Sequence, residues 1–275
     1  MVYVWNRATG ALYRRFREPL GTPLLVKFSP RAKRVACASR DRTVRIWNLR
    51  TRRSLNVLQV PAVVHAMIFM DAGRRLLTGD CSGRIRIWRL KTGRQSRIFS
   101  KKSRCVRSIL FGQGGRVLYS GGDALRRWRM PGGRFQRKIL AVPGRIHLLV
   151  LLNNHRMLMQ DGYRTARIVN LRTGVTAVMR HYGASVIASR AASSARDRLF
   201  LCFSGAVHVA SMRTLRLLGR PFSAPNAYLN AVAVSHGGQL LAAGPFERSR
   251  RDRSFVAVWK LRPKGAPRGT PGPAP

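Results

Sequence analysis

Short runs of apolar and β-branched residues alternate with turns along almost the whole chain. Runs of four to eight such residues lie between turns rich in Gly, Pro, Asn or Ser, as in LLVKFSP (24–30), RVACAS (34–39) and VRIWNLRTR (44–52). This pattern predicts short antiparallel strands. No segment sustains the 3.6-residue period of an amphipathic helix. The sequence therefore predicts an all-β fold.

One of these strands recurs with a nearly fixed period. The repeats are VYVWNRATG (2–10), VRIWNLRTR (44–52), IRIWRLKTG (85–93), LRRWRMPGG (125–133), ARIVNLRTG (166–174), VHVASMRTL (207–215) and VAVWKLRPK (256–264). Their anchor residues, Trp5, Trp47, Trp88, Trp128, Val169, Ala210 and Trp259, are separated by 42, 41, 40, 41, 41 and 49 residues. A period of about 40–45 residues is typical of a propeller blade.

Each period also contains other strands in the same order. An apolar first strand is followed by a tight turn and a second strand, as in VVHAMIFMDAG (63–73) and RLLTGD (75–80), or YLNAVAVSHGG (228–238) and QLLAAG (239–244). The strand that carries the anchor is third, and a fourth follows a basic turn, as in SLNVLQV (54–60). Units of four strands stacked around an axis form a β-propeller.

At this level of detail the chain resembles the WD-repeat family. The resemblance covers roughly residues 2–262, and FSPRAKRVACASRDRTVRIWNLRTRR (28–53) is similar to one whole unit of the family. The resemblance implies a structural role for the anchors Trp5, Trp47, Trp88, Trp128 and Trp259. It also implies that Asp41, six residues before Trp47, is the acid of a turn that stabilises its blade.

Most of the family's polar network looks incomplete in this sequence. The residues six positions before Trp88 and Trp128 are Ser82 and Gly122, and no Gly-His dipeptide occurs. The position after each anchor, where the family has Asp, holds Asn48, Arg89, Arg129 and Lys260. Because a buried polar network stabilises only when it is complete, most blades are expected to depend on apolar packing alone.

The repeats predict seven blades, of which the first is incomplete. The alternative is six blades closed by the strand ALYRRF (11–16). We predict one propeller domain over residues 1–262, and the alternative that the chain is the C-terminal part of a longer protein stays open. The Pro- and Gly-rich segment PKGAPRGTPGPAP (263–275) is predicted to be a disordered basic tail.

The charge of the chain narrows the range of functions. Its 53 Lys and Arg residues against 9 Asp and Glu residues give a net charge of +44. A lasting acidic partner is the natural inference from such an excess, and nucleic acid is the commonest polyanion. Codon bias in a GC-rich gene is the alternative explanation of the arginine content.

The cysteines and the N-terminus indicate an intracellular protein. Cys37, Cys81, Cys105 and Cys202 form no CxxC pair, so we expect small buried thiols in a reducing compartment rather than zinc ligands or disulfides. The first residues, MVYVWNRATG, do not resemble a signal peptide, and the longest apolar run, IHLLVLL (146–152), is too short to span a bilayer. Cytoplasm, nucleus and mitochondrion are not distinguished.

No catalytic motif or paired carboxylates are evident, so an enzyme is not predicted. No cofactor, metal or small-molecule substrate is predicted either. Two of the histidines, His65 and His147, lie on apolar first strands, where a structural imidazole is expected.

The basic loops are the best candidate for a binding site. In a propeller, the turns between strands one and two and between strands three and four open on one face, which would collect Arg31, Lys33, Arg34, Arg50, Arg52, Arg53, Arg74, Arg75, Lys91, Arg94, Arg134, Arg137 and Lys138. The opposite face would carry Arg40, Arg42, Lys101, Lys102, Arg104, Arg145, Arg248, Arg250, Arg251 and Arg253. In contrast, Arg45, Arg86, Arg126 and Arg167 recur two residues before each anchor and are expected to be structural.

These features support two functional hypotheses. The first is a non-catalytic scaffold that docks on RNA or another polyanion through backbone contacts, within a ribonucleoprotein or ribosome-related assembly. The alternative is a general WD-repeat platform for acidic protein partners, because the fold itself supports both equally.

Overall fold

The computed structural model describes most of the chain as short strands and turns. The described residues are 2–6, 9–16, 21–100, 104–142, 144–161, 165–178, 192–195, 198–203, 206–211, 214, 216–223, 229–234, 240–245 and 257–260. The chain divides into two compact units, Met1–Leu149 and Val150–Pro275. In the described part, no helix is long and apolar enough to cross a membrane.

The first unit contains a two-stranded sheet and three antiparallel four-stranded sheets. Sheet I comprises β1 (Val2–Trp5) and β2 (Leu12–Phe16), and sheet II comprises β3 (Pro23–Phe28), β4 (Arg34–Ser39), β5 (Thr43–Asn48) and β6 (Ser54–Gln59). Sheet III comprises β7 (Val64–Met70), β8 (Arg75–Asp80), β9 (Arg84–Arg89) and β10 (Gln95–Ser100). Sheet IV comprises β11 (Ser108–Gly112), β12 (Val117–Gly121), β13 (Ala124–Arg129) and β14 (Arg134–Ala141). Within each sheet, every strand pairs with the strand that follows it in sequence, as the repeat predicts.

The second unit continues the same order of strands, with its boundary inside β15. Sheet V comprises β15 (Ile146–Leu151), β16 (Arg156–Asp161), β17 (Thr165–Asn170) and β18 (Thr176–Val178). Sheet VI comprises β19 (Ala192–Ala195), β20 (Arg198–Phe203) and β21 (Ala206–Ser211). Sheet VII comprises β22 (Leu229–Val234), β23 (Leu240–Pro245) and β24 (Ala257–Lys260).

The four strands of a sheet differ in burial according to their place in it. The second strands β4, β8 and β12 are buried over nearly their whole length, whereas the fourth strands β6, β10 and β14 are largely exposed. A central strand that is covered on both faces reads as a continuous apolar run. This explains sequences such as VACAS and LLTGD, which have no alternation of polar and apolar residues.

The core of the first unit lies between the faces of successive sheets. One cluster joins sheet I to sheet II, a second joins sheet II to sheet III, and a third joins sheet III to sheet IV. The anchor residues Trp47, Trp88 and Trp128 belong to these three clusters in turn. Trp47 stacks on Phe16 of the preceding sheet at a ring-centroid distance of 4.7 Å.

The first and last anchors differ in burial. Trp5 is 53% exposed and stacks on Tyr3. Trp259 is buried in the second unit, where it packs edge-on against Phe222 at 5.5 Å between ring centroids.

This succession of short antiparallel sheets with interleaved cores is the architecture of a WD-repeat β-propeller, as the repeat predicts. The number of blades stays a prediction. The strand over residues 11–16 corresponds to β2, which pairs with β1 within sheet I. The predicted tail, residues 263–275, lies outside the described residues, and so do Lys101, Lys102, Arg248, Arg250, Arg251 and Arg253.

The prediction that most blades depend on apolar packing alone is wrong for the best-described sheets. The indole Nε1–H of Trp88 donates to the hydroxyl of Thr78 at 3.0 Å, and that of Trp128 donates to the hydroxyl of Ser120 at 2.8 Å. Both hydroxyls lie on the second strand and are buried. These bonds satisfy the one polar atom of an otherwise apolar anchor.

Sheets III and IV also have an acid near the turn between strands two and three, although it does not lie six residues before the anchor as Asp41 does. Asp80 lies eight residues before Trp88 and forms a buried ion pair with Arg86. Asp123 lies five residues before Trp128 and binds Arg126 through two N···O contacts of 3.0 Å. The acid can thus stand at different distances before the anchor and still reach the arginine of the third strand.

Sheet V repeats this pairing in the second unit. The Nε–H of Arg167 donates to Asp161 at 2.9 Å, and the Asp161 side chain is 7% exposed. Arg86, Arg126 and Arg167 thus have a structural role, as expected, and they exert it through ion pairs with these acids.

Asp41 is the turn acid of sheet II, and it is bound mainly by hydroxyl and amide donors. Its Oδ1 accepts hydrogen bonds from the Thr43 hydroxyl at 2.7 Å and from the Thr43 amide at 3.0 Å. Burial raises the pKa of the Asp41 carboxyl, but hydrogen bonds from Thr43, Gly21 and Ser39 outweigh that effect, so this pKa lies below its ordinary value.

The sequence predicts that all four cysteines are buried thiols, and for Cys81 and Cys105 this prediction is wrong. Cys81 and Cys105 form a disulfide that joins the turn after β8 to the segment before β11. Cys37 is a buried thiol, and burial raises its pKa to about 11. The side chain of Cys202 lies outside the described residues.

The Asp80→Ala substitution is expected to destabilise the protein strongly, because it leaves the Arg86 guanidinium buried without its counterion. The expected loss is about 3–5 kcal/mol. The matched control is Asp71→Ala, which breaks the half-exposed pair of Asp71 with Arg75 in the same sheet and should cost only about 0–1 kcal/mol. Urea unfolding of both variants measures the difference, and equal losses would contradict a buried structural pair.

The stabilising effect of Asp41 is expected to disappear in acid. Because its pKa is lowered in the folded state, its contribution is present above the unfolded pKa of about 4 and is lost as the pH falls through the folded pKa. The unfolding free energies of the wild type and of Asp41→Asn should therefore differ at pH 6, and the difference should shrink as the pH falls below about 4. A difference that does not change with pH would rule out this account of the turn.

Candidate polyanion-binding face

Two kinds of turn meet at the same end of each sheet in the first unit. The amide of Leu49, in the turn between strands three and four, donates to the carbonyl of Lys33 between strands one and two at 3.0 Å. The same bond joins Leu90 to Arg74 at 3.0 Å, and Met130 to Arg116 at 2.8 Å. The turns that the sequence assigns to one face are thus held together by a repeated backbone hydrogen bond.

Side-chain contacts join these ends from sheet to sheet. The guanidinium of Arg34 in sheet II donates to the carbonyl of Gly73 in sheet III at 2.7 Å, and Asn56 donates to the carbonyl of Leu90 at 2.8 Å. Arg97 of sheet III donates to the carbonyl of Gly132 in sheet IV. The ends of sheets II, III and IV therefore form one continuous surface.

This surface is densely cationic. We call it the basic face and define it by its exposed cations: Arg31, Lys33, Arg50, Arg52, Arg53, Arg74, Arg89, Lys91, Arg94, Arg116, Arg129 and Arg134. All of them lie in, or at the edge of, the turns between strands one and two or between strands three and four. They offer hydrogen-bond donors and positive charge without acceptors, which suits binding of phosphate or carboxylate groups.

Several cations that the sequence assigns to this face have other places in the structure. Arg34 and Arg75 are half-buried and already bonded, Arg34 to Gly73 and Arg75 to Asp71. Arg137 and Lys138 are not in a turn but within the exposed outer strand β14, opposite Arg127 and Arg126. The fourth strand of sheet IV begins at Arg134, directly after the turn at Gly133, so Arg137 and Lys138 lie beyond that turn.

On the opposite face, Arg104 is exposed in the segment before β11. Arg40, Arg42 and Arg145 are also exposed there, the first two in the turn between β4 and β5.

The sequence prediction missed three members of the basic face, Arg89, Arg116 and Arg129. Arg89 and Arg129 follow the anchors Trp88 and Trp128, and both are exposed. Arg89 lines an open depression of about 790 Å³ together with Asp71, Ala72, Arg74, Arg75 and Lys91. For Arg89 and Arg129 the sequence does contain a signal, because an Arg stands where the WD-repeat family has Asp. From the sequence alone, this replacement is interpreted only as the loss of a polar contact.

An asparagine can replace the family's Asp at the position after the anchor, because its side chain can bind the same backbone amides of the turn. In sheet II the Oδ1 of Asn48 accepts hydrogen bonds from the amides of Arg50 at 2.9 Å and Thr51 at 3.1 Å. Asn170 binds the amides of Arg172 and Thr173 in the same way. Asn therefore keeps the turn that an Asp would form, without placing a carboxylate on the basic face.

The described acids lie almost entirely away from the basic face. Asp41, Asp80, Asp123 and Asp161 occupy the turns between strands two and three, at the other end of their sheets. Among the described residues only Asp71 lies on the basic face, where it pairs with Arg75. Apart from Asp71, the acids that the structure describes are thus committed elsewhere and do not neutralise the cations of this face.

Arg52 adopts an unfavourable backbone conformation on this face. Its φ is 63°, in the left-handed region, and the corresponding position in four other repeats is a glycine: Gly10, Gly93, Gly133 and Gly174, with φ of 69°, 68°, 66° and 79°. An L side chain in this conformation costs about 1 kcal/mol relative to glycine. Arg42, with φ of 61°, shows the same feature in the turn on the opposite face, where Gly83 takes its place in sheet III.

Comparison with known proteins identifies the repeat. The family model described as "WD domain, G-beta repeat" matches residues 25–48, which comprise most of β3–β5. Apoptotic protease-activating factor 1 of Rattus norvegicus is 30% identical over 142 residues, which are 48% of this chain and 11% of that protein. The U5 small nuclear ribonucleoprotein 40 kDa protein of Dictyostelium discoideum is 34% identical over 92 residues, 32% of this chain and 25% of that protein.

A third relative shows the same partial coverage. The periodic tryptophan protein 2 homolog of Schizosaccharomyces pombe is 25% identical over 96 residues, which are 34% of this chain and 11% of that protein. The chain spans between about a tenth and a quarter of the length of these relatives.

Replacing Arg52 by glycine should separate stability from binding. Arg52→Gly relieves the left-handed strain, so it should be neutral or stabilising by up to about 1 kcal/mol, while it removes one charge from the basic face. Arg42→Gly is the matched control, because it relieves the same strain on the opposite face. Elution from a heparin column should move to lower salt for Arg52→Gly only, and equal shifts for both variants would count against a directional site.

Proposed function

We propose that this chain, which matches the WD-repeat model at residues 25–48, is a non-catalytic interaction scaffold and that its basic face docks on the phosphate backbone of RNA. The partner is held by charge and shape rather than by base recognition. The proposed site comprises the cations of the basic face, and the anion is supplied by the partner.

The segregation of charge within the first unit is the observation that supports this proposal most strongly. The described acids of this unit other than Asp71 lie in, or directly before, the turns between strands two and three, where they bind hydroxyls, amides or the arginine of the third strand. The cations of the basic face project at the other end of the same sheets, where only Asp71 opposes them. Charge that is separated in this way gives a local field that attracts polyanions.

The composition of the basic face favours backbone contacts over base recognition. Guanidinium groups bind phosphate oxygens in a bidentate manner, and each neutralised phosphate releases counterions. Four aromatic side chains of the described part are exposed, Tyr3, Trp5, Tyr13 and Phe28, and of these only Phe28, the last residue of β3, borders a turn of the basic face. Base stacking, on which sequence-specific RNA binding depends, therefore has one exposed aromatic side chain at this face among the described residues.

The name of one relative is consistent with a partner that contains RNA. The name of the Dictyostelium discoideum protein places it in the U5 small nuclear ribonucleoprotein. The likeness covers 32% of this chain, so it supports the proposal without identifying the RNA. An acidic protein surface is the alternative partner for the same cations.

A salt series with a structured RNA duplex tests the proposal. The logarithm of the affinity should fall linearly with the logarithm of the salt concentration, with a slope of about −0.9 per phosphate contacted. Arg50→Glu/Arg52→Glu should flatten this slope by about two contacts and weaken binding by at least about tenfold.

The control is Arg40→Glu/Arg42→Glu in the same sheet. It makes the same change of charge at two exposed residues on the opposite face, and each pair includes one left-handed position. This control should leave the slope close to that of the wild type. Equal slopes for the two variants, or tighter binding of polyglutamate than of RNA at the same salt, would overturn the proposal.

A further inference from the structure

Three groups with the chemistry of metal ligands meet at one end of sheet III. The ligand atoms of His65, Cys81 and Cys105 all lie within 4.8 Å of one another. His65 and Cys81 are half-buried, and Cys105 is buried. The group lies at the turn between β8 and β9, on the end of the sheet opposite to the basic face, so the proposed RNA site does not use it.

We propose that His65, Cys81 and Cys105 bind a zinc ion when the disulfide between the two cysteines is reduced. Two thiolates and one imidazole are the donors that zinc prefers in proteins, and a fourth position would be open to water or to another ligand. In a tetrahedral site with Zn–S bonds of about 2.3 Å, the sulfurs are about 3.8 Å apart. The three ligand atoms, all within 4.8 Å of one another, are thus close enough to share one ion.

The backbone holds the two cysteines near each other independently of the disulfide bond. The amide of Cys81 donates to the carbonyl of Val63 at 3.0 Å, and the amide of Val106, next to Cys105, donates to the carbonyl of Asp80 at 2.9 Å. Asp80 is itself fixed by its ion pair with Arg86. Both thiols would thus stay in place after reduction, which lowers the ordering cost of metal binding.

A β-bulge places the histidine beside the cysteines. In the pairing of β7 with β8, Val64 faces Asp80 and Ala66 faces Gly79, so His65 is the extra residue of a bulge. Bulges redirect a side chain and are frequent next to functional sites. The sequence had suggested a structural imidazole at this position, because its apolar neighbours hid the bulge.

The preceding repeat provides an internal comparison. Sheet II has a bulge at the corresponding place, between Pro23 and Leu25, and the residue there is Leu24. Arg40 stands at the position of Cys81. The fold of a sheet therefore requires neither the histidine nor the cysteine, and their presence together in sheet III calls for another reason.

Reduction and metal binding together replace one disulfide bond by two zinc–sulfur bonds. Two molecules of a thiol reductant supply two electrons and two protons to the disulfide and become a disulfide themselves. Zinc then replaces the two thiol protons, which are released to solvent, and accepts the lone pair of the neutral imidazole. The site would thus hold metal in reducing conditions and a cross-link in oxidising conditions.

Zinc binding to the full chain, measured by competition with a chromogenic chelator, tests this inference. After reduction by a phosphine, the wild type should bind one zinc per chain, and the oxidised wild type should bind none at this site. Cys81→Ser should abolish binding. His65→Leu, which copies sheet II, should weaken it by at least about a hundredfold, because loss of a ligand should exceed the 10–100-fold effect typical of outer partners.

Cobalt in place of zinc reports directly on bonding to sulfur, and Cys37→Ala provides the control. The reduced wild type should show a sulfur-to-cobalt charge-transfer absorption that Cys81→Ser lacks, and Cys37→Ala, which alters a buried thiol elsewhere in the sheets, should behave like the wild type. Circular dichroism confirms the fold of each variant. Absence of zinc binding by the reduced wild type, or unchanged affinity in folded His65→Leu, would overturn the proposal. None of these results depends on RNA binding.

Discussion

The carboxylate at the turn between the second and third strands is the interaction on which the rest of the structure depends. Asp80, Asp123 and Asp161 each bind the arginine of the following strand, and Asp41 binds hydroxyl and amide donors. Removing one member of such a pair leaves a buried charge or donor unsatisfied, which costs several times more than the pair contributes. This asymmetry fixes the acids at one end of each sheet.

Confinement of the acids has an electrostatic consequence. A chain with 53 cations and 9 acids has few counterions to distribute, and those described are committed mainly to turns at one end of the sheets. At the other end, Asn48 and Asn170 keep the cap of the turn without the charge, and Arg89 and Arg129 replace it with a cation. The turns of the basic face thus remain folded while they accumulate positive charge, and Arg52 does so against its own backbone preference.

The sequence predicts the strands well because the repeat and the apolar runs report directly on burial. The second strands at residues 34–39 and 75–80 coincide with β4 and β8. The polar network was underestimated, because the acid can stand five or eight residues before the anchor and still reach the same arginine. The group of His65, Cys81 and Cys105 was also missed, since its members are far apart in sequence and meet only through a bulge and the junction of two sheets.

The central claim is that the cations of one face, and not the total charge of the chain, meet the polyanion. Arginine modification by phenylglyoxal, mapped by mass spectrometry with and without a structured RNA, tests this claim most directly. We predict that RNA protects Arg50, Arg52 and Arg53 and leaves Arg40 and Arg42 of the same sheet reactive. Equal protection of the two groups, or protection of Arg40 and Arg42 alone, would contradict the account.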